Sequence, residues 1–201
     1  MLTVLRPPDL ITWDPLYEAW NFYRVDLIHI LKKQDEERCN QKPSDGSWSI
    51  CEVGDHLRVS QSLYAHLLAL VKAGKQGEHK EGLVVDYDSI EQNYSGPGLL
   101  ENPEAVNPAE NIKKKELQDL LNKAMEKTEK NLSGFSMEEL RAMHFEHPLF
   151  GMISMLDWLW VLTLHEGMHV EALKKKLIHL GNDISKKMIV EPYNGNSDSF
   201  Y

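Results

Sequence analysis

Apolar residues recur at helical spacing in four segments of the chain, and capping residues mark where these segments begin. The first segment follows Asp14-Pro15, in which the aspartate suits an N-cap and the proline suits the first helical position. The segment fades in the charged run from Lys32 to Arg38 and ends before Pro43. This pattern predicts a first amphipathic helix. Its apolar face consists of Leu16, Trp20, Tyr23, Leu27, Ile30 and Leu31.

The second segment opens with a capping box, in which Ser49 and Glu52 would each bind a backbone N–H at the start of a helix. The segment ends at Gly74, where a glycine suits the end of a helix. The run from Ser136 to Glu139 has the same opening pattern and predicts a short extra helix. The apolar face of the second segment carries Val53, His56, Leu57, Leu63, Tyr64, Leu67 and Val71.

Prolines open the third and fourth segments. The third is predicted to start at Asn107-Pro108, again an N-cap followed by a proline. The fourth is predicted to start after His147-Pro148, with His147 as its cap, and to run to the residue before Gly181. Apolar and histidine positions on their faces are Leu117, Leu121, Ala124 and Leu132 in the third, and Met155, Trp158, Leu162, His165, His169 and Leu173 in the fourth.

Four long amphipathic helices with no sustained strand alternation predict an all-α fold, an antiparallel four-helix bundle. The 201 residues are expected to form one domain, residues 1–201. The connection from residue 74 to residue 106 lies between the second and third helices, and a connection of this length is typical of a functional loop, a lid or a disordered segment. The polar tail from 194 to 201 is expected to be loose.

Charge limits the partners that the chain can have. Its 22 basic and 31 acidic residues leave a net charge of −9, which argues against broad binding to nucleic acid or to an anionic membrane. The longest apolar run, residues 150–164, contains Asp157 and is too short to span a bilayer. No secretory signal is apparent at the N-terminus. Two cysteines, Cys39 and Cys51, are expected to be reduced thiols in a cytoplasmic protein.

The sequence HEGMH at residues 165–169 is the strongest local sign of chemistry. Histidines four residues apart lie on one face of a helix and can share one metal ion. Both His165 and His169 fall on the apolar face of the fourth helix, where a histidine needs a partner. The alternative is a pair of core histidines that bind neighbouring polar groups. Glu166 is a candidate catalytic base, or a residue that binds and orients one of the metal ligands. The alternative is a solvated surface glutamate.

His56 lies on the inward face of the second helix and makes a third ligand plausible. Three neutral imidazoles and a water form an open metal site, and zinc and nickel both suit such ligands. Asp55 could orient a metal-binding side chain through a hydrogen bond without touching the metal, although a surface carboxylate is the more common role for such a residue.

The chain resembles the DinB-like superfamily of metal-dependent four-helix bundle proteins. The resemblance rests on three passages, WSICEVGDHL at 48–57, HPLFG at 147–151 and HEGMH at 165–169. It implies an up-down-down-up bundle with His56, His165 and His169 around zinc or nickel. Characterised relatives include thiol-dependent S-transferases and isomerases, and ergothioneine-synthesis enzymes carry a similar domain. The chain differs from many members in its long 74–106 connection and in lacking a glutamine shortly after His169.

These observations leave three classes of function open. The leading hypothesis is a metal-dependent transferase in which a small-molecule thiol is activated, with a hydrolase that uses metal-bound water and Glu166 as a close variant. The second is a zinc protease with Glu191 as the third ligand. The third is a non-catalytic bundle that a metal stabilises. Bundle faces rich in tryptophan could also support a homodimer.

Overall fold

The structure is a computed structural model that describes residues 3–95 and 103–179. The described residues form four long helices, three shorter helices, two turns of 3-10 helix and a small three-stranded sheet. Turns of 3-10 helix lie at Pro7–Asp9 and Glu104–Val106. The helices and strands in chain order are α1 (Asp14–Lys33), α2 (Glu36–Asn40), α3 (Ile50–Lys72), β1 (Glu78–His79), α4 (Tyr87–Ser95), α5 (Lys114–Leu132), α6 (Met137–Ala142), β2 (Met143–His147), β3 (Gly151–Ser154) and α7 (Met155–His179).

Helices α3 and α5 run parallel to each other. Near their N-terminal ends, Gly54 lies so close to Leu117 that a Cβ on the glycine would be 3.0 Å from the leucine side chain. Further along both helices, the Gln61 amide donates a hydrogen bond to the Thr128 hydroxyl at 3.3 Å. Because residue numbers rise together along the contact, the long connection between the helices must return along the length of the bundle.

Helices α1 and α7 are also parallel. The Thr163 hydroxyl donates to the Leu16 carbonyl. Further along both helices, Lys174 forms a 2.5 Å ion pair with Asp26. The contact therefore advances in the same direction along both helices.

The two parallel pairs run in opposite directions. His56 near the start of α3 meets His165 in the middle of α7, whereas the Tyr64 hydroxyl further along α3 donates to the Met155 carbonyl at the start of α7. Numbers that rise on α3 and fall on α7 define an antiparallel contact. The predicted up-down-down-up four-helix bundle is therefore confirmed.

Two apolar clusters fill the bundle. One cluster surrounds Trp20, Tyr64 and Trp160, and the other surrounds Tyr23, Leu57 and Leu121. The large side chains of both clusters are almost fully buried. Burial of this many apolar side chains is the main stabilising contribution to such a bundle.

Capping boxes are present where the sequence predicts them. Ser49 accepts from the backbone N–H of Glu52, whose carboxylate accepts from the backbone N–H of Ser49, and α3 begins at the next residue after Ser49. Ser136 and Glu139 form the same reciprocal pair at the start of α6.

The predicted start of the third helix at Asn107 is wrong. Helix α5 begins at Lys114, and Asn107 instead ends the short 3-10 turn that precedes it. The intervening segment is held by tertiary contacts, since the Asp55 carboxylate accepts from the Ala109 backbone N–H at 2.8 Å. The Glu36 carboxylate accepts from the Lys114 backbone N–H at 3.0 Å and so satisfies one donor at the start of α5.

The predicted start of the fourth helix after His147-Pro148 is also wrong, because these residues open the turn of a hairpin. Strands β2 and β3 pair antiparallel, with His147 opposite Gly151, and β1 adds to the other edge of β2. The cap of α7 is Ser154, which exchanges hydrogen bonds with Asp157. This Ser-x-x-Asp pattern is visible in the sequence. It lies within a long apolar run, so the start of the helix could not be distinguished from the strand before it.

Cys39 and Cys51 form a disulfide, so the prediction of two reduced thiols is wrong. Their Cα atoms are 5.4 Å apart, within the range that a disulfide spans. The bond joins α2 to the first turn of α3. Sequence spacing could not reveal this contact, because it depends on how α2 folds back across the end of the bundle.

Much of the predicted loop between residues 74 and 106 is ordered. It contains β1 and helix α4, and α4 packs on α7 with Ile90 and Tyr94 buried and with the Tyr87 hydroxyl donating to Asp157 at 2.8 Å. The predicted loose tail at 194–201 lies outside the described residues. Within the described ranges, no helix is both long and apolar enough to cross a membrane.

Candidate metal centre

Three histidines meet where α3 and α7 cross. His56 comes from the second turn of α3, and His165 and His169 come from successive turns of α7. The Nε2 atom of His165 lies 2.9 Å from that of His56 and 3.1 Å from that of His169. The structure therefore brings together all three residues that the sequence nominated as metal ligands.

The orientation of His56 is fixed from outside the cluster. Its Nδ1 donates to the Val106 carbonyl at 2.7 Å, because a carbonyl can only accept, and a neutral ring then carries its lone pair on Nε2. The ring also packs against Trp48, with ring centroids 4.7 Å apart. His56 is fully buried, so Nε2 is presented to the other two histidines in one geometry.

The three converging ring nitrogens are better arranged to bind a cation than to form hydrogen bonds with one another. Burial lowers the pKa of His56, lowers that of His169 to about 3 and lowers that of His165 well below its usual range. Near neutral pH the rings are therefore uncharged. His56 Nε2 is an acceptor, so the two contacts at His165 Nε2 cannot both be ordinary linear hydrogen bonds. Converging neutral imidazole nitrogens match the donor set that zinc and nickel prefer, so the residues present fit such an ion.

A cavity of about 500 Å³ opens beside the three histidines. Among the described residues that line it there is no aspartate or glutamate, and the only formally charged side chain is Lys176. Its apolar wall includes Trp48, Leu63, Trp158, Val161, Leu162 and Met168. Besides the three clustered histidines, its polar side chains are few and come from Ser47, Ser60, Asn93, Tyr94, His147 and Lys176. The shape and lining are typical of a site for a small, largely apolar molecule.

Glu166 does not reach this cavity, contrary to the expectation of a base beside a metal-bound water. Its carboxylate accepts from Arg24 at 2.5 and 2.7 Å and from the Trp20 indole N–H at 2.5 Å. The residue is 0% exposed, so the alternative of a solvated surface glutamate is also wrong. The turn of the helix between His165 and Glu166 directs the carboxylate to α1, where it joins α1 to α7.

Asp55 is buried rather than exposed, and it acts on His56 through the backbone. Its carboxylate accepts from the Arg58 guanidinium at 2.6 Å and from the Ala109 backbone N–H at 2.8 Å. Ala109 is three residues from Val106, whose carbonyl binds His56. Asp55 thus anchors the segment that orients a ligand instead of touching the ligand itself.

Two cavity residues were not nominated for this site from the sequence. Tyr94 from α4 packs its ring 5.9 Å from that of His165, and His147 lies at the end of β2. His147 does not cap α7, because its Nδ1 accepts from the Leu149 backbone N–H in the hairpin turn. The HPLFG passage was a signal for His147, whereas Tyr94 could be placed only once α4 was seen to pack on α7.

Comparisons with known proteins agree with this fold. The curated protein YuaE of Bacillus subtilis (strain 168), which is uncharacterized, is 25% identical over 158 residues, covering 78% of this chain and 93% of YuaE. Two solved structures are similar at low identity. The four-helix bundle protein TT2238 has a TM-score of 0.54 at 19% identity, with 82% of this chain and 99% of that chain covered.

The second solved structure is YfiT from Bacillus subtilis, described as a probable metal-dependent hydrolase with an unusual four-helix bundle topology. Its TM-score is 0.61 at 15% identity, covering 90% of this chain and 95% of YfiT. A family profile described as the DinB superfamily matches residues 19–173, a range that contains α3, most of α7 and all three clustered histidines. Since that match covers well over half of its length, the chain belongs to the DinB superfamily.

Proposed function

We propose that the chain is a metal-dependent enzyme in which His56, His165 and His169 hold zinc or nickel, and that it transfers a low-molecular-weight thiol to a small apolar electrophile. The observation that carries this proposal is an apolar cavity next to three neutral imidazoles, with no carboxylate among the described residues that line it. The description of YfiT as a probable metal-dependent hydrolase supports the metal dependence.

The lining of the cavity favours a thiol over water as the nucleophile. A divalent metal held by the three histidines would lower the pKa of a thiol or a water bound to it. A thiol is already acidic enough for this effect alone to give a thiolate near neutral pH, with its proton released to solvent. Water attack benefits from a carboxylate base, and Glu166 is bound to Arg24 on the far side of the helix.

The chain's own residues would position the electrophile. Trp158, Leu162 and neighbouring apolar side chains would hold its carbon skeleton and exclude water, which protects the thiolate from reprotonation. In the reaction the sulfur forms a bond to the electrophilic carbon, and the bond to the leaving atom breaks with its electron pair.

Hydrolysis is the second candidate, favoured by the description of YfiT. The protease alternative has less support, because Glu166 is sequestered in an ion pair and Glu191 lies outside the described residues. A metal that only stabilises the bundle would be expected in a closed site, and the open cavity beside the histidines argues for catalysis.

Metal content is the first test. We expect about one zinc or nickel ion per chain by elemental analysis, and a loss of at least tenfold in occupancy in His56→Ala and in His165→Ala. The matched control is His66→Ala, which removes an exposed histidine from the same helix as His56 and should leave occupancy unchanged. Equal metal content in all four proteins would refute the three-histidine site.

Activity is the second test. Metal-loaded protein would be assayed with cysteine, glutathione and coenzyme A against 1-chloro-2,4-dinitrobenzene, and with 4-nitrophenyl acetate in the absence of thiol. We expect thiol-dependent turnover that His56→Ala abolishes. Turnover of the ester alone would support hydrolysis instead, and metal binding with neither activity would support a structural metal.

A further inference from the structure

We propose that His147 is an oxygen-binding residue of this cavity, whose Nε2–H donates a hydrogen bond to a carbonyl or epoxide oxygen of the bound electrophile. The role in turnover rests on the proposed function, whereas the binding of the oxygen does not. His147 lines the same cavity as the three clustered histidines and is a separate residue from them.

The hairpin holds His147 in place. His147 is the last residue of β2 and pairs with Gly151, the first residue of β3. Gly151 has a φ of 68°, a backbone conformation that glycine adopts without strain. The tight turn between them lets the Leu149 backbone N–H donate to His147 Nδ1 at 3.2 Å.

This turn contact determines which ring nitrogen carries the hydrogen. Because Nδ1 accepts, a neutral His147 must carry its hydrogen on Nε2. Burial lowers the pKa of His147 to about 4, so the ring is neutral at physiological pH and keeps this tautomer. Nε2 is therefore a fixed hydrogen-bond donor.

The donor sits in apolar surroundings without a partner. His147 is only 8% exposed, and its ring packs on Phe150 and Trp158 with centroid distances of 4.8 and 4.3 Å. No residue in the described ranges accepts from its Nε2. The indole N–H of Trp158, which packs against His147, is buried with no described partner. His147 lines the cavity, so an oxygen of a bound molecule could accept from its Nε2–H.

Neutral donors of this kind select an uncharged oxygen acceptor attached to an apolar body. When a thiolate opens an epoxide, the carbon–sulfur bond forms, the carbon–oxygen bond breaks, and the oxygen keeps the electron pair until it takes a proton from solvent. A donor fixed at that oxygen stabilises the developing charge and therefore speeds the reaction. An electrophile that loses a halide has no such oxygen to bind.

The binding test uses zinc-loaded protein, acetophenone and ethylbenzene, which have similar shapes but differ in the carbonyl oxygen. Affinities would be measured through the fluorescence of the cavity tryptophans. We expect wild type to prefer the ketone, and His147→Phe to weaken the ketone about threefold to tenfold with little change for the hydrocarbon. His147→Gln, whose amide can replace the Nε2 donor, should restore part of the preference. Equal affinities for the two ligands in wild type, or equal losses in His147→Phe, would overturn the proposal.

The kinetic test compares styrene oxide with benzyl bromide as acceptors of the same thiol. His147→Phe should lower kcat for the epoxide about 100-fold and change kcat for the bromide less than about threefold, with zinc content unchanged. A parallel loss for both substrates would refute the oxygen contact. If wild type turns over neither substrate but still prefers acetophenone, the thiol-transfer function fails and the oxygen-binding assignment stands.

Discussion

At the scale of single residues, the two histidines of the HEGMH passage and the glutamate between them have different roles, metal binding as proposed and helix packing. His165 and His169 face the cavity, whereas Glu166 between them binds Arg24 and Trp20 inside the bundle. Both partners of the Arg24–Glu166 ion pair are buried, so each charge depends on the other for compensation. The glutamate that looked catalytic is therefore a structural contact between α1 and α7.

Loss of one member of this pair should destabilise the fold. We expect Glu166→Gln to lower the free energy of unfolding by about 3 kcal/mol, since the Arg24 charge stays buried without its counterion. Replacement of both residues, in Arg24→Met with Glu166→Leu, should cost less than the single change. Urea denaturation would measure both effects.

The same variants test whether Glu166 acts as a base. In the folded fraction of Glu166→Gln we expect metal content and turnover per folded molecule to stay within about threefold of wild type, whereas loss of a general base typically costs 100-fold or more. A 100-fold loss with normal metal content would restore the catalytic role of Glu166.

At the scale of elements, short segments hold the ends of the long helices. The Cys39–Cys51 disulfide joins α2 to the start of α3, and the Asp55 carboxylate holds the segment before α5. Both contacts lie close to His56 in the sequence. The disulfide ties the first turn of α3 to α2, and the segment that Asp55 holds carries the Val106 carbonyl that binds His56.

The disulfide should contribute to stability by restricting the unfolded chain. Closure of a loop with a sequence separation of 12 predicts a gain of about 3 kcal/mol. We expect the free energy of unfolding of the Cys39→Ser/Cys51→Ser double variant, measured by urea denaturation, to be lower than that of the oxidised protein by this amount and to match that of wild type treated with dithiothreitol. Two free thiols in denatured, unreduced wild type would contradict the bond.

At the scale of the whole molecule, the long connection between α3 and α5 determines the topology. It lets two consecutive long helices run parallel, which places α3 antiparallel to α7 and brings His56 level with His165. The hairpin and α4 then cover the open side of this contact and supply the remaining cavity wall. The proposed metal site and the cavity are thus products of the arrangement of the entire bundle.

Acid should destabilise the whole molecule because the bundle buries neutral histidines. The pKa of His147 is about 4 in the folded protein, against an ordinary value of 6.5 in an unfolded chain. Between these values the unfolded chain binds the proton and the folded protein does not, so stability is lost as pH falls from about 6.5 towards 4.

His147→Phe should lose part of this pH dependence. Between pH 7 and pH 4.5, its free energy of unfolding should fall by about 2 kcal/mol less than that of wild type. Chemical denaturation at both pH values would measure the difference, with the exposed-site variant His66→Ala as the control. Identical pH profiles for wild type and His147→Phe would contradict a buried neutral His147.

Residues close together along the chain were enough to predict the four long helices, the capping boxes of α3 and α6, and the inward position of the three clustered histidines. Apolar periodicity places a histidine on the inward face of its helix, so the register of a ligand is a local property. The DinB resemblance added the relative directions of the four helices, up-down-down-up, which no local pattern contains.

The start of α5, the disulfide, and the roles of Glu166 and His147 depend on contacts between distant parts of the chain. The start of α7 has a local cap at Ser154, but it was recognised only once the preceding residues were seen in a hairpin. Asn107-Pro108 has the form of a helix start, but contacts from Asp55 hold that segment in another conformation. The burial of Glu166 and of His147 depends on which helix or strand packs against them. Local sequence cannot specify those neighbours, because they come from distant parts of the chain that meet only in the folded bundle.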